Sequence, residues 1–253
     1  MSDVFGFQAV RAVLNDTPER GRQLFVQTGR REARANEIIA LAKARGIRFQ
    51  SKEGRWFKDR LGDATHQGIL LECHGLAITT ESDFFSDWAA LGADPIILLL
   101  DGVTDPRNFG ACLRTANGAG VAAVIFPKRN SAPLNSVALK TAQGGAETLR
   151  LVEVTNLNRC IKNLQKQGVW VIGADDSTKT VHFKMDAKGP LAIAMGSEGK
   201  GLRRLTKEAC DQLVKIPMLG SVSSLNVSVA TGVILYECIR QRDMPAGPQV
   251  HGP

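Results

Sequence analysis

The chain has 253 residues, 43% of them hydrophobic, and a formal net charge of +7 from 32 Lys and Arg against 25 Asp and Glu. That length holds one large domain or two ordinary ones and buries a core without staples. No run approaches the ~18 apolar residues of a membrane span, and Met1-Ser2-Asp3-Val4 lacks the basic-then-apolar start of a targeting segment, so the expected compartment is the cytoplasm.

In chain order, Phe7 to Leu14 has helical spacing, Gln23-Leu24-Phe25-Val26-Gln27 reads as a strand, and Arg31 to Ala44 as a helix with Ile38, Leu41 and Ala42 on one face. Gly46 follows where a left-handed C-terminal cap is wanted. Strands at Ile47–Gln50 and Gly68–Cys73 complete a small α/β unit over residues 1–76. Within it, Arg30, Arg31, Arg34, Lys43, Arg45, Arg48, Lys52, Arg55, Lys58 and Arg60 face only Glu32, Glu37, Glu53 and Asp59, a formal +6. Such an arginine-weighted patch suits a polyanion, since neutralised phosphates release counterions. Trp56 and Phe57 sit inside it and read equally as base-stacking rings or as core.

Residues 77–92 lose the pattern and read as a linker or a loosely docked helix. From 93 the chain changes character: Ile96-Ile97-Leu98-Leu99-Leu100 is a continuous apolar run, typical of a parallel strand buried on both faces. Strands are expected at 96–101, 121–126, 149–154, 169–174, 190–195 and 213–217. A helix between the third and fourth has Thr155 as N-cap, Leu157, Cys160, Ile161 and Leu164 on its apolar face, and Gly168 as its close. This alternation predicts an α/β fold with an open parallel sheet over 93–243. The last helix, Leu225 to Arg240, is apolar nearly all round and must be buried in its own core or in a subunit contact. The tail 244–253, with three prolines and two glycines, is expected to be disordered.

Neither a Gly-x-Gly-x-x-Gly after a strand nor a Gly-x-x-x-x-Gly-Lys-Ser/Thr is present, which argues against nicotinamide and nucleoside-triphosphate chemistry. Cys73, Cys112, Cys160, Cys210 and Cys238 are scattered and never form Cys-x-x-Cys, and the four histidines have no ligand spacing, so reduced thiols and no metal are expected. What the strand ends do carry is polar: Asn108 and Arg114 after the first, Glu198 after the fifth, Ser224 and Asn226 after the sixth. That is where a wound sheet places a ligand. Each has a plain alternative: helix cap for Asn108, Ser224 and Asn226, solvated arginine for Arg114, turn residue for Glu198.

The stretches Asn108-Phe109-Gly110-Ala111-Cys112-Leu113-Arg114-Thr115-Ala116, Met195-Gly196-Ser197-Glu198-Gly199-Lys200-Gly201, and Ile216-Pro217-Met218 with Ser223-Ser224-Leu225-Asn226-Val227-Ser228-Val229-Ala230 resemble, in order and spacing, the three motifs of the SpoU branch of SPOUT RNA 2′-O-ribose methyltransferases. Val4-Phe5-Gly6-Phe7-Gln8-Ala9-Val10 and Thr65-His66-Gln67-Gly68 resemble the family's substrate-binding domain. Asp101-Gly102-Val103-Thr104-Asp105-Pro106 and Gly220-Ser221-Val222-Ser223-Ser224-Leu225-Asn226 resemble most the bacterial branch acting on a guanosine of large-subunit rRNA.

The resemblance implies a parallel sheet with a trefoil knot behind a small RNA-binding domain, and S-adenosylmethionine held at Gly196, Ile216 and Leu225. It implies transfer to a guanosine 2′-hydroxyl in the peptidyl-transferase region of 23S rRNA, naked or in an assembly intermediate, by a homodimer. Arg114 is then the base or the anchor of the target phosphate, with Asn108, Glu198, Ser224 and Asn226 shaping the site. A tRNA-modifying enzyme of the same family and a non-catalytic RNA-binding protein are the alternatives.

Overall fold

The structure, a computed structural model, describes residues 2–29 and 32–243. Arg30 and Arg31 of the basic segment and the tail 244–253 lie outside the described residues. The chain opens with β1 (Ser2–Phe5), α1 (Phe7–Asp16), a single 3₁₀ turn at Pro18–Arg20 and β2 (Gly21–Gln27). It continues through α2 (Ala33–Ala44), β3 (Arg48–Lys52), α3 (Gly54–Leu61) and β4 (Ile69–Cys73). These strands form a four-stranded sheet in the order β1-β4-β2-β3, in which only β2 and β3 run parallel. Val10, Val13 and Leu14 of α1 and Ile38 and Ala42 of α2 bury against Leu24, Val26, Ile69 and Leu71. Phe57 of α3 covers the opposite face over Phe25 and Leu70.

Two of these elements carry no readable pattern. β1 is short and takes its register from β4, and α3 is charged everywhere except around the wholly buried Phe57. Gly46, at φ 71°, ends α2 in the left-handed conformation expected of it.

The segment expected to be a linker is ordered. It holds β5 (Ile78–Thr80), α4 (Glu81–Ser86) and a 3₁₀ turn at Trp88–Leu91. Thr80 caps α4 by accepting from the Asp83 N–H at 3.2 Å, and Phe84 is fully buried. Beyond it come β6 (Ile96–Asp101), α5 (Pro106–Gly118), β7 (Ala123–Pro127), α6 (Ser136–Ala142), α7 (Gly145–Thr148), β8 (Arg150–Val154), α8 (Leu157–Lys166) and β9 (Trp170–Ala174). The chain finishes with β10 (Leu191–Gly196), α9 (Arg204–Ala209), β11 (Gln212–Val214) and α10 (Val227–Asp243).

Seven strands make one parallel sheet in the order β11-β9-β10-β6-β7-β8-β5, so the supposed linker supplies its outer strand. Ile96, Leu98 and Leu100 of β6 pack into the core on one face and Ile97 and Leu99 into the core on the other, as the unbroken apolar run requires. The N-cap of α8 is Asn156, whose Oδ1 accepts from the Arg159 N–H at 3.0 Å, and not Thr155. The last strand is shorter than its apolar run, because Lys215 leaves the ladder to bridge Val181. α10 buries Val227, Ile234, Leu235 and Cys238 against α5 and β10 but exposes Val229 and Tyr236. Among the described residues no helix is long and apolar enough to cross a membrane.

The two sheets are joined by close packing. Gly144, at φ 91°, brings the start of α7 onto α1, where an added Cβ would stand 3.0 Å from the Ala12 Cβ and 3.2 Å from the Ala9 Cα. Beside it Arg20 and Glu147, both buried, form an ion pair across the interface, and the Arg20 guanidinium also donates to the His74 carbonyl at 3.3 Å. A buried pair of this kind adds little net stability, but removing one partner leaves the other charge uncompensated.

Glu147→Ala is therefore expected to lower unfolding stability by about 3–5 kcal/mol, and the double change Arg20→Met with Glu147→Leu by far less. Urea denaturation of both variants checks this; equal losses would mean the pair is not desolvated.

Candidate active site

β6 is the switch point of the sheet: the chain runs from it to β7 and β8 on one side, while β10, β9 and β11 lie on the other. Ligands bind at the carboxyl ends of strands where the order reverses in this way. At that edge Gly196, the last residue of β10, pairs with Asp101, the last of β6. The loops that follow these two strands carry Asn108 and Glu198.

Asp105 caps α5, its Oδ1 accepting from the N–H groups of Arg107 at 2.6 Å and Asn108 at 3.1 Å, with Pro106 at the first helical position. The Asn108 side chain is thus left for the site, and is not the cap. Its Nδ2 donates to Glu198 Oε2 at 2.9 Å, and its Oδ1 accepts from Asn226 Nδ2, also at 2.9 Å. Asn226 Nδ2 reaches the same Glu198 oxygen at 3.4 Å. The capping reading of Asn226 holds as well, because its Oδ1 accepts from the Ser228 N–H at 2.9 Å at the start of α10. One amide therefore starts the last helix with its oxygen and closes the polar triangle with its nitrogen.

Glu198 also lines a cavity of about 290 Å³ formed by residues 195–201, 214–216, 218 and 223–225 with Ala174 and Asp175. Met195, Val214, Ile216, Met218 and Leu225 make it apolar on one side, whereas Asp175 and Lys207 are charged. Lys207 Nζ stands 2.5 Å from Asp175 Oδ2, and Ser177 donates to the other oxygen through N–H and hydroxyl. Burial pushes the Asp175 carboxyl up, but the hydrogen bonds from Lys207 and Ser177 outweigh it and hold the group below its ordinary value.

The glycines of the loop serve the loop itself. A Cβ on Gly196 would fall 2.0 Å from the Gly201 carbonyl carbon and 2.2 Å from the Leu202 nitrogen. Ser197 and Gly201 exchange two backbone hydrogen bonds, at 3.1 and 2.9 Å, and Gly201 has φ 63°. The buried Asp101 fixes the exit of this crossing by accepting from the Arg203 N–H at 2.9 Å. Close approach of backbone to backbone is what requires glycine here.

Of the residues singled out from sequence, Gly196, Glu198, Ile216, Ser224 and Leu225 line the cavity, and Asn108 and Asn226 bond to Glu198. Arg114 does not join them. Six residues on from Asn108 it lies about 120° further round the helix, exposed, outside the cavity and without a side-chain hydrogen bond or ion pair among the described residues. Asp175 and Lys207 were missed, and Asp101 was quoted without a role, although Asp101 and Asp175 announce themselves as acids at the ends of buried strands.

Elsewhere, Arg60 of the basic segment is engaged by Asp3 and Glu72 at 2.7 Å each, and Lys52 and Arg60 stand 5.7 and 5.3 Å from the Trp56 ring centre. Trp56 packs against Phe25 with the rings tilted by 35°, and Phe57 is sealed in the core, so of Trp56 and Phe57 only the tryptophan reaches the surface. All five cysteines are free, and burial pushes the Cys73, Cys160 and Cys238 thiols up to about 12. Among the described residues no group of three or more His, Cys, Asp or Glu is placed to hold a metal.

Comparison with known proteins adds a second line of observation. The profile of the SpoU rRNA methylase family matches residues 95–236, and that of RNA 2′-O ribose methyltransferase substrate binding matches residues 4–78. The 23S rRNA (guanosine-2′-O-)-methyltransferase RlmB of Shewanella oneidensis is 48% identical over 239 residues, covering 94% of this chain and 97% of its own. Its namesake from Vibrio vulnificus is 48% identical over 240 residues, covering 94% and 96%. The crystal structure of the SpoU methyltransferase AviRb from Streptomyces viridochromogenes in complex with the cofactor AdoMet superposes with a TM-score of 0.75 at 22% identity, over 95% of this chain and 90% of that one.

The contact between Gly196 and Gly201 generates a measurable contrast. Gly196→Ala is expected to cost several times the stability lost in Gly199→Ala, which has φ 76° and open space around it and should lose only about 1–2 kcal/mol. Thermal melts of the two variants decide it; equal midpoints would mean that the loop does not cross itself this closely.

Proposed function

The chain belongs to the SpoU rRNA methylase family, and on that premise we propose that it transfers the methyl group of S-adenosylmethionine to the ribose 2′-hydroxyl of a guanosine in 23S rRNA. The observation that carries this reading is the Asn108–Glu198–Asn226 triangle at a cavity with one apolar and one charged side. The residues present fit the group: Met195, Ile216, Met218 and Leu225 offer an apolar slot for a purine, and the Glu198 carboxylate offers a counter-charge for a sulfonium. Gly196, Ile216 and Leu225 are the residues that would hold it.

S-adenosylmethionine, when bound, supplies a methyl group on positively charged sulfur. Once that methyl group passed to the 2′-oxygen, the sulfur would be left as a neutral thioether and the hydroxyl proton would go to solvent water. The protein's part is positioning and handling of charge. Asn108 and Asn226 fix Glu198 through one of its oxygens, so its charge stands at a set point beside the cavity. Ser224, exposed at the cavity wall and without a side-chain hydrogen bond among the described residues, has its hydroxyl available to substrate. Arg114 holds the phosphate of the target nucleotide and stabilises negative charge developing on the 2′-oxygen.

Because Arg114 lies outside the cavity of its own chain, we assign it to the site of a partner subunit in a homodimer. The apolar surface supports this: Leu219 is 97% exposed, and Val229 and Tyr236 are 52% and 54% exposed on α10, where Tyr236 donates to the Gly118 carbonyl of α5 at 3.4 Å. On this reading residues 1–76 bind RNA and residues 93–243 catalyse, with 77–92 built into the edge of the catalytic sheet through β5. The trefoil knot belongs to the same reading, supported by the insertion of β10 between β6 and β9 and by the tight crossing at Gly196. So does a cytoplasmic site of action on rRNA or an assembly intermediate, supported by the rRNA named for the relatives and by the free cysteines.

Incubation of 23S rRNA with the protein and S-adenosylmethionine, followed by nucleoside mass spectrometry, is expected to yield 2′-O-methylguanosine; product on tRNA alone would replace the substrate. Arg114→Ala and Asn226→Ala should each be nearly inactive. Mixed together, they should recover roughly a quarter of wild-type activity, because half of the dimers are mixed and each holds one intact site. No recovery would place Arg114 in the site of its own chain.

A further inference from the structure

Between the two sheets lies a second cleft, of about 360 Å³, to which the reaction above assigns no part. Gln8, Thr65 and Gln67 line it from the first unit and Ser136, Lys140 and Gln143 from the second. All six are exposed, and among the described residues the side chains of Gln8, Lys140 and Gln143 make no hydrogen bond or ion pair. The oxygen of Gln67 accepts from the Phe7 N–H at 3.0 Å, which leaves its amide nitrogen unspent. The polar lining is thus three carboxamides, two hydroxyls and one ammonium with unsatisfied capacity, beside the carboxylates of Asp3 and Glu147, which are engaged by Arg60 and Arg20.

The backbone carries a second, independent mark. Among the described residues three that are not glycine have left-handed backbone, and two of them, Gln67 at φ 53° and Gln143 at φ 49°, are in this cleft. Glycine would relieve both positions, so what glutamine adds there is its side chain. The walls are also held in place: Glu147, paired with the buried Arg20, is part of the lining, and Gly144 packs against Ala9 and Ala12. The cleft is close to the chemistry as well. The four-residue α7 that carries Glu147 also carries Gly145, where an added Cβ would stand 3.1 Å from the Arg114 Cα.

We propose that this cleft takes an unpaired nucleotide of the RNA substrate next to the one being methylated, its base edge bonded by Gln8, Gln67 and Gln143 and its phosphate by Lys140. A carboxamide presents donor and acceptor together, which is what a base edge requires, and single-stranded RNA is read by splaying bases into such pockets. Lysine offers donors only, to a phosphate oxygen. This inference rests on the assignment of RNA as substrate.

The test uses the full chain and a 23S rRNA transcript. Gln143→Gly is expected to raise the thermal midpoint, because the strain is released, yet to weaken RNA binding about fivefold to tenfold. A merely structural glutamine would not separate the two. Lys140→Ala is expected to weaken binding and to reduce the slope of log affinity against log salt by about 1, while Gln143→Gly leaves that slope unchanged. If both variants bind the transcript as the wild type does, while the wild type still methylates it, the cleft is not a nucleotide pocket and the assigned reaction stands. If the wild type neither binds nor methylates the transcript, the substrate assignment falls, and this inference with it.

Discussion

The passage of Gly201 and Leu202 over Gly196 is the contact on which the rest of this molecule depends. Strand β10 must end beside β6, turn back on itself within a few residues and leave toward α9, all against a neighbouring backbone that leaves no room for a side chain. That turn puts Ser197 and Glu198 at the carboxyl edge, gives the cavity one of its walls, and brings Arg203 to the buried Asp101. A parallel sheet needs nothing of this kind to be stable. The crossing is a local constraint accepted at the place where the ligand cavity lies.

The polar triangle shows how little is needed once that backbone is fixed. Glu198 is on an exposed loop and would be mobile alone; two amides, from the first turn of α5 and from the cap of α10, hold one of its oxygens. Both helices are seated by buried apolar faces, so the positions of Asn108 and Asn226 are set by Phe109, Cys112, Leu113, Ile234 and Leu235 in the core. The rigidity of the site is thus borrowed from hydrophobic packing, and the hydrogen bonds spend it on orientation.

Much of this was legible from residues alone, and the rest was not for physical reasons. The run Ile96–Leu100 could only be a strand buried on both faces, and the two cores divide its side chains alternately. The helical faces of α2 and α8 were readable because periodicity is a local property. Elements whose stability is not local were missed: β5 has three residues and exists because β8 offers an edge, while α3 is a charged segment held by one buried phenylalanine. Likewise nothing adjacent in sequence links Arg20 to Glu147. The arrangement of the motif residues was not legible either, since the angular separation of Asn108 and Arg114 on α5 matters more than their shared helix.

That separation also bears on why the chain has two units at all. The Arg114 side chain has no hydrogen-bond or ion-pair partner among the described residues, and its backbone lies against Gly145 of α7. α7 is in turn the element onto which the first unit packs, through Gly144 and the buried Arg20–Glu147 pair. A buried ion pair is a poor source of stability but a strict geometric condition, satisfied in one docking arrangement and costly in others. It therefore fixes the basic first unit at a set distance and angle from Arg114.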